Sequence, residues 1–299
     1  MQGKRFILGV LADEHAGSKV GLCNPNTEFW IDRPVEDDHG SIHMEPSIWR
    51  PDMTPIMESI WNKYLEGVEK IVTLADGDPI YLFKLGEVCE GTYYKNSSMM
   101  LKKDWQVKIA VANMLPWLDV PNLKSIRIVP GDRSHEFDEG SAARMVGDRL
   151  AAQFPDVKVG GHGRWEHKRT GFVLDYAHWG PFPGSRKYLE GNVARLYLKD
   201  YMLREIVEFS RVPADLVLRA HYHEPVEVDE HITHQHGKYD SKLIIAPALK
   251  MMDGHARKAT RNKFSAAYGT SAIEIYGDWM KVHDNFVKID IRNWEVVDE

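Results

Sequence analysis

Cysteine is scarce in this chain of 299 residues, which contains only Cys23 and Cys89. Two thiols cannot build the disulfide framework of a secreted domain, so we predict a protein of the reducing cytoplasm. Long apolar runs are also lacking, because the mean hydropathy is -0.41. The longest strand-like run, residues 6–12, is far shorter than the ~20 residues of a membrane helix. We therefore predict neither a membrane span nor a signal peptide.

The chain also lacks an excess of basic residues. Its 38 lysines and arginines are outnumbered by 44 acidic residues, which gives a net charge of -6. Nucleic-acid binding requires concentrated positive charge, so the composition disfavours it and leaves room only for a local basic patch. No repeat, low-complexity stretch or dividing linker is present. We predict a single domain over residues 1–299, and the oligomeric state stays open.

Strand-like and helix-like segments alternate through most of the chain, and strands cluster towards its end. This order predicts an α/β (α+β) fold in which two packed mixed β-sheets are flanked by helices. Residues 16–52 are predicted to form a long loop insertion with exposed aromatic side chains at Phe29, Trp30 and Trp49. Residues 225–240 are predicted to form a hairpin excursion. The predicted strands are 4–11, 80–85, 124–129, 171–177, 216–219, 243–246, 271–276 and 286–291, and the predicted helices begin at Thr54-Pro55 and cover 104–118, 141–154 and 189–209.

Short clusters of histidine and acidic residues follow several predicted strands. The carboxyl ends of strands in an open α/β sheet are where such groups can meet. Imidazole and carboxylate groups are typical ligands of divalent transition ions. The series therefore predicts a metal site, and its members are Asp13-Glu14-His15, Gly86-Glu87, Gly131-Asp132-Arg133-Ser134-His135, His178 and His221-Tyr222-His223.

Taken singly, the carboxylates have ordinary alternative interpretations. Asp13 and His15 lie on one side of a strand end because side chains alternate, but the pair also fits a surface loop. Glu87 has two oxygens with which it could bridge two ions. Glu87 or Glu90 could instead cap a helix or pair with a lysine.

The histidines are equally ambiguous one at a time. His135 could donate a proton to a leaving oxygen, or it could lie in a polar turn. A lone histidine beside aromatic residues, such as His178, is more often a packing residue than a ligand. His221 and His223 can both face one metal centre only if the backbone bends between them.

In chain order, these clusters resemble the calcineurin-like metallophosphoesterase family. That family carries D-x-H, G-D, G-N-H, a lone H and G-H-x-H, each after a strand, and the series here spans residues 13–223. The spacing of Gly131 and His135, with Glu90-Gly91, resembles phosphoesterases of bacteriophages, which would act in the host cytoplasm. The resemblance implies a metallo-dependent phosphatase-like sandwich that hydrolyses phosphate mono- or diesters.

The resemblance also implies two divalent metal ions, of manganese, iron, zinc or nickel, and a role for each motif residue. A hydroxide bridging the two ions would attack phosphorus, with His135 as general acid and Arg133 neutralising the phosphate. The implied metal ligands are Asp13, His15 and His223 for one ion, His178 and His221 for the other, Glu87 between them, and Asp132.

Three positions differ from the family pattern. Glu87 stands where the family has aspartate, Ser134 where it has asparagine, and Ala220 where it has glycine. Either Asp132 or Ser134 could supply the oxygen of the missing asparagine. Two alternatives to a hydrolase of phosphate mono- or diesters stay open: a nuclease acting on DNA or RNA, and a binding protein of the same fold with weakened catalysis.

Overall fold

A computed structural model of the chain describes residues 5–93, 95–138, 140–183, 189–235, 237–253, 265–277 and 279–292. The elements in chain order are β1 (Arg5–Ala12), β2 (Phe29–Glu36), β3 (Ile42–Trp49), α1 (Pro55–Ala75), β4 (Ile80–Leu85), α2 (Lys103–Asn113), α3 (Leu115–Leu118), β5 (Leu123–Val129), α4 (Ser141–Ala151), β6 (Val157–Val159), β7 (Gly163–His167), β8 (Phe172–Tyr176), α5 (Asn192–Val207), β9 (Leu216–Arg219), β10 (Val226–His234), β11 (Gly237–Ile245), β12 (Ser265–Tyr276) and β13 (Trp279–Asp290).

The strands form two mixed sheets and a separate hairpin. The first sheet has the order β13-β12-β1-β4-β5-β6, in which β1, β4, β5 and β6 are parallel and β12 and β13 are antiparallel neighbours. The second has the order β10-β11-β9-β8-β7, with parallel pairing of β11, β9 and β8 at its centre. Strands β2 and β3 pair only with each other.

The two sheets pack face to face, and helices cover their outer faces. Side chains from β1 and β4, such as Phe6 and Phe83, share an apolar cluster with Leu174 and Leu218 of the second sheet. The outer face of the first sheet packs against α1, α2 and α4. Helix α5 packs on the outer face of the second sheet. The predicted fold class is confirmed.

Local sequence explains the central elements. Strand β1 is apolar on both faces, because Ile7 points towards the helices and Leu8 into the space between the sheets, as expected for a doubly covered strand. Helix α1 begins at Pro55, and the Thr54 hydroxyl accepts a hydrogen bond from Met57 N at 3.3 Å. Within the described residues, no helix combines the length and the apolar character needed to cross a bilayer.

The segment 16–52 differs from the predicted loop in two respects: it contains the paired strands β2 and β3, and two of its aromatic side chains are covered. Trp30 is 70% exposed, but Phe29 is only 2% exposed and Trp49 is half-buried. The rings of Phe29 and Trp49 pack with that of Trp105 on α2, with centroids 4.5 and 5.6 Å from it. The prediction that all three aromatic residues are exposed is therefore wrong, because a long-range contact with α2 covers two of them.

Several other segments differ in extent from their predicted form, among them β12 and β13, which begin 6 and 7 residues before their predicted starts at 271 and 286. The helix predicted over residues 104–118 is divided at Met114, where the chain turns before Pro116. Proline lacks the N–H that would continue the helical hydrogen bonds. The hairpin predicted near residues 225–240 lies in β10 and β11, and β11 pairs with β9. It therefore completes one edge of the second sheet.

Candidate metal centre

The predicted site residues all follow the carboxyl ends of strands. Those after β1, β4 and β5 come from the first sheet, and those after β8 and β9 come from the second. Parallel pairing within each sheet brings these ends to one edge. The fold thereby collects buried or largely buried side chains from five loops, namely Asp13, His15, Glu87, His135, His178, His221 and His223.

The backbone of these loops is unusual. Nine non-glycine residues among those described have positive φ, and five of them lie in this cluster. Such conformations cost about 1–3 kcal/mol each and are common at functional sites. The five residues, with their φ values, are Asp13 (50°), His15 (48°), Glu87 (44°), His221 (78°) and His223 (54°). The bend that a His-x-His pair requires is therefore present at both histidines.

The Glu87 carboxylate lies between two groups of imidazoles. Its Oε1 is 3.4 Å from His178 Nε2 and 3.4 Å from His221 Nδ1. Its Oε2 contacts His15 Nε2 and is 3.8 Å from His223 Nε2. Each group, with Glu87, has the composition and spacing of a site that could hold a metal ion. One carboxylate is thus shared by two adjacent candidate sites.

Asp13 joins the two groups from the side of β1. Its Oδ2 accepts a hydrogen bond from the backbone N–H of His221 at 3.1 Å and lies 4.0 Å from His223 Nε2. Its Oδ1 is 3.5 Å from His178 Nδ1, is fully buried, and makes no hydrogen bond to any described residue. A buried carboxylate oxygen is costly unless a cation or donor compensates it. The donor set and this oxygen fit a divalent cation.

The charges within the cluster also favour metal ligation. Burial opposes ionisation of Glu87, but the adjacent His15, His178 and His221 hold its pKa well below the usual value. Burial likewise opposes protonation of His178, but the Glu87 and Asp13 carboxylates raise its pKa to about 9. The cluster thus holds an ionised carboxylate beside positive charge. A metal ion would replace the protons on these imidazoles.

Two glycines of the predicted motifs allow these loops to approach each other. Gly86 has φ of 79°, and a Cβ there would lie 2.0 Å from His178 Nδ1. A Cβ on Gly131 would lie 2.4 Å from Glu87 N. Glycine is therefore required at both positions by direct contact with the cluster.

A third group lies beside His15 and is centred on Glu90. Glu90 Oε2 is 2.9 Å from His15 Nδ1 and accepts a hydrogen bond from Lys250 Nζ at 3.0 Å, and the Ser97 hydroxyl donates to Oε1. The backbone carbonyl of Glu90 accepts a hydrogen bond from His135 Nδ1 at 2.6 Å. Lys250 Nζ is also 3.3 Å from His15 Nδ1, so an ammonium group already supplies the positive charge here. This group therefore orients imidazoles instead of holding an ion.

We expect Glu90→Gln to weaken metal binding by about 10–100-fold, the usual cost of losing a group that orients a histidine ligand. The carboxylate fixes the ring of His15 so that Nε2 faces Glu87. An amide would remove one of the two carboxylates that Lys250 contacts, the other being Asp253. Calorimetric titration of the metal-free protein with manganese measures this change in affinity. Unaltered affinity in a folded variant would show that Glu90 does not orient His15.

The remaining predicted residues lie outside the two Glu87 groups. Asp132 Oδ1 accepts hydrogen bonds from Ser134 N at 2.8 Å and Ser134 Oγ at 2.7 Å. Arg133 is exposed, on the loop that carries His135. Ala220 is buried in the apolar cluster between the sheets, and the positive φ values fall on the two histidines that follow it. Alanine is therefore accommodated where the family pattern has glycine.

Sequence reasoning missed two neighbours of the cluster. Lys250 was not considered, although it is the one charged residue in the otherwise apolar stretch 246–252, and that isolation was a usable signal. Trp179 packs on His221 with ring centroids 3.7 Å apart. It directly follows His178, but the chain gives no signal that its ring covers His221.

Comparisons with known proteins give only distant structural similarity. No protein-family model matches this sequence, and neither does any curated protein. Among solved structures, an archaeal phosphodiesterase is similar over 93% of this chain and 98% of its own, with 9% identity and a TM-score of 0.39. A protein of unknown function from Aquifex aeolicus is similar over 72% of this chain and 78% of its own, with 15% identity and a TM-score of 0.25. Vps29 of Chaetomium thermophilum is similar over 95% of this chain and 97% of its own, with 10% identity and a TM-score of 0.28. Similarities at this level assign neither a family nor an activity.

Proposed function

We propose that this protein is a divalent-metal-dependent hydrolase of phosphate mono- or diesters. The observation that supports this most directly is the shared Glu87 carboxylate, with one oxygen towards His178 and His221 and the other towards His15. Two adjacent cation sites around one bridging carboxylate are the arrangement used for in-line displacement at phosphorus. Asp13 and His223 complete the proposed ligand set.

The proposed ions, when bound, polarise the phosphate and supply a nucleophile at neutral pH. The protein holds the donor atoms in place through the strained loops and through Glu90. The proposed donors are the imidazoles of His15, His178, His221 and His223 and the carboxylates of Glu87 and Asp13. Their mixture of imidazole and carboxylate suits manganese, iron, zinc or nickel.

The side chain proposed to protonate the leaving oxygen is His135. Its Nδ1–H donates to the Glu90 carbonyl at 2.6 Å, so Nε2 is the atom that can exchange a proton with a substrate. Burial and the charge of His15 lower its pKa to about 4. An anionic phosphate next to Nε2 would favour the protonated ring, since a nearby negative charge stabilises imidazolium.

The test of this proposal measures metal content and hydrolysis together. We expect the protein to bind about two equivalents of manganese and to hydrolyse a chromogenic bis-aryl phosphate, as a two-metal site predicts. His221→Ala and His223→Ala should each lose metal content and activity, because each removes a ligand beside Glu87. The matched control is His231→Ala, which removes an exposed histidine on β10.

The outcomes separate the candidate functions. Full metal content in both ligand variants would refute the ligand assignment. A protein that binds manganese but hydrolyses no phosphate mono- or diester would instead be a binding protein. Loss of activity in His231→Ala would contradict the location of the site.

A further inference from the structure

A cavity of about 520 Å³ opens beside the loop that carries His135. This volume lies within the range of ordinary small-molecule sites. One wall comes from residues just after Gly91 and the other from the loop after β5. The lining side chains include Thr92, Tyr93, Lys95, Arg133, Phe137 and Asp138.

The two walls are held together by close backbone contacts. Gly91 has φ of 82°, and a Cβ there would lie 2.3 Å from the carbonyl oxygen of Ser134. The Glu90 carbonyl also accepts the hydrogen bond from His135 Nδ1. The cavity is therefore fixed relative to the proposed general acid.

Two basic side chains, Lys95 and Arg133, line the cavity. The side chains of Lys95 and Arg133 make no hydrogen bond or ion pair with any residue in the part of the chain that the structure describes. Asp138 is the one carboxylate among the lining residues. Behind the wall, Lys103 Nζ donates to the Phe137 carbonyl at 3.3 Å and adds a further cation. Two lining cations against one lining carboxylate leave a positive balance, which suits an anionic ligand.

The position of the cavity indicates which part of a substrate it would hold. The general acid lies on the side of the leaving group, since its proton goes to the leaving oxygen. Arg133 and Ser134, which directly precede His135, line the cavity, and Phe137 lines it from the other side of that histidine in the chain. Tyr93, which is 73% exposed, presents an aromatic ring there, and Phe137 forms a largely buried apolar wall. The cavity thus combines apolar surface for a carbon skeleton with two cations.

We propose that this cavity binds a second phosphate carried by the leaving alcohol, so that the enzyme prefers esters whose leaving portion is itself phosphorylated. This inference rests on the proposed phosphoesterase function. In the reaction, the oxygen of a water that has released one proton to solvent bonds to phosphorus, and the bond from phosphorus to the leaving oxygen breaks. The leaving oxygen takes its proton from His135, and the second phosphate is not altered. Arg133 then contacts this second phosphate and not the scissile one.

The test uses two matched diesters with manganese-loaded protein. One is methyl glyceryl phosphate, and the other is the same diester with a second phosphate on the glyceryl group. The formation of methyl phosphate, monitored by phosphorus NMR, reports departure of the glyceryl portion. We expect the second phosphate to lower KM about tenfold, which corresponds to about 1.4 kcal/mol. This preference should shrink at high ionic strength, because exposed charges are screened.

The variants are Lys95→Ala with Arg133→Ala, and Lys124→Ala as control. Lys124 is an exposed lysine on β5 at the end of the strand opposite the site, so its loss removes one positive charge from the surface without altering the cavity. We expect the double variant to bring the KM ratio of the two diesters close to one and the control to retain the preference.

The failures of the two proposals are distinguishable. If neither diester nor any bis-aryl phosphate is hydrolysed, the proposed function is wrong and this inference falls with it. If both diesters are hydrolysed with equal KM, only the cavity assignment is wrong. If the double variant loses activity on both diesters by the same factor, Arg133 and Lys95 act on the scissile phosphate and the assignment is again refuted.

Discussion

Replacement of Glu87 with alanine is expected to abolish two-ion binding and to lower turnover by more than about a thousandfold, equivalent to about 4 kcal/mol of transition-state stabilisation. Each oxygen of this carboxylate faces a different pair of imidazoles, at 3.4 Å on one side and 3.8 Å or less on the other. Alanine would remove a ligand from both candidate sites at once and leave four imidazoles facing one another. Metal analysis after dialysis, with hydrolysis of a bis-aryl phosphate, measures both effects.

The matched comparison is Glu87→Asp, which keeps the charge and introduces the residue that the metallophosphoesterase motif has at this position. We expect this variant to retain or raise turnover, because aspartate offers the same two oxygens on a side chain shorter by one methylene. A collapse of activity in Glu87→Asp would show that the surrounding site is built for the longer side chain. Retention of both ions in Glu87→Ala would show that Glu87 is not shared between them.

The elements that the sequence predicts well are those with a local cause. Strands β4 and β9 have the predicted bounds because each is a short apolar run followed by a turn. The convergence of the motifs follows from their common position after parallel strands, since such ends meet at one edge of a sheet. Thr54 and Pro55 likewise mark the start of α1 through capping chemistry that acts within one turn.

The features that escaped prediction depend on contacts between distant segments. The burial of Phe29 depends on Trp105, and the Glu90 group depends on Lys250, which is 160 residues further along the chain. Glu90 had two open interpretations, and its pairing with a lysine is the one that the structure contains. No periodicity in the sequence encodes such a partner. Strand β6 escaped for a different reason, because three residues are too few to show alternation.

The second large effect is expected at His135, and it should depend on the leaving group. This ring lies outside both Glu87 groups, and its Nδ1 is held by the Glu90 carbonyl at 2.6 Å. His135→Ala should therefore keep its metal content. A positioned general acid contributes typically about 10²–10⁴-fold, so hydrolysis of an alkyl ester should fall by that factor.

An acidic phenol leaves with little need of a proton, whereas an alkoxide must be protonated as its bond to phosphorus breaks. Hydrolysis of a nitrophenyl ester by His135→Ala should accordingly fall much less than that of an alkyl ester with the same phosphoryl group. Equal losses on the two esters would show that His135 stabilises the phosphoryl group instead of protonating the leaving oxygen. If His135→Ala loses a metal ion, His135 is itself a metal ligand, together with His15 and Glu90 of the third group. The ratio of the two losses, measured on one metal-loaded preparation, therefore decides the chemical role of His135.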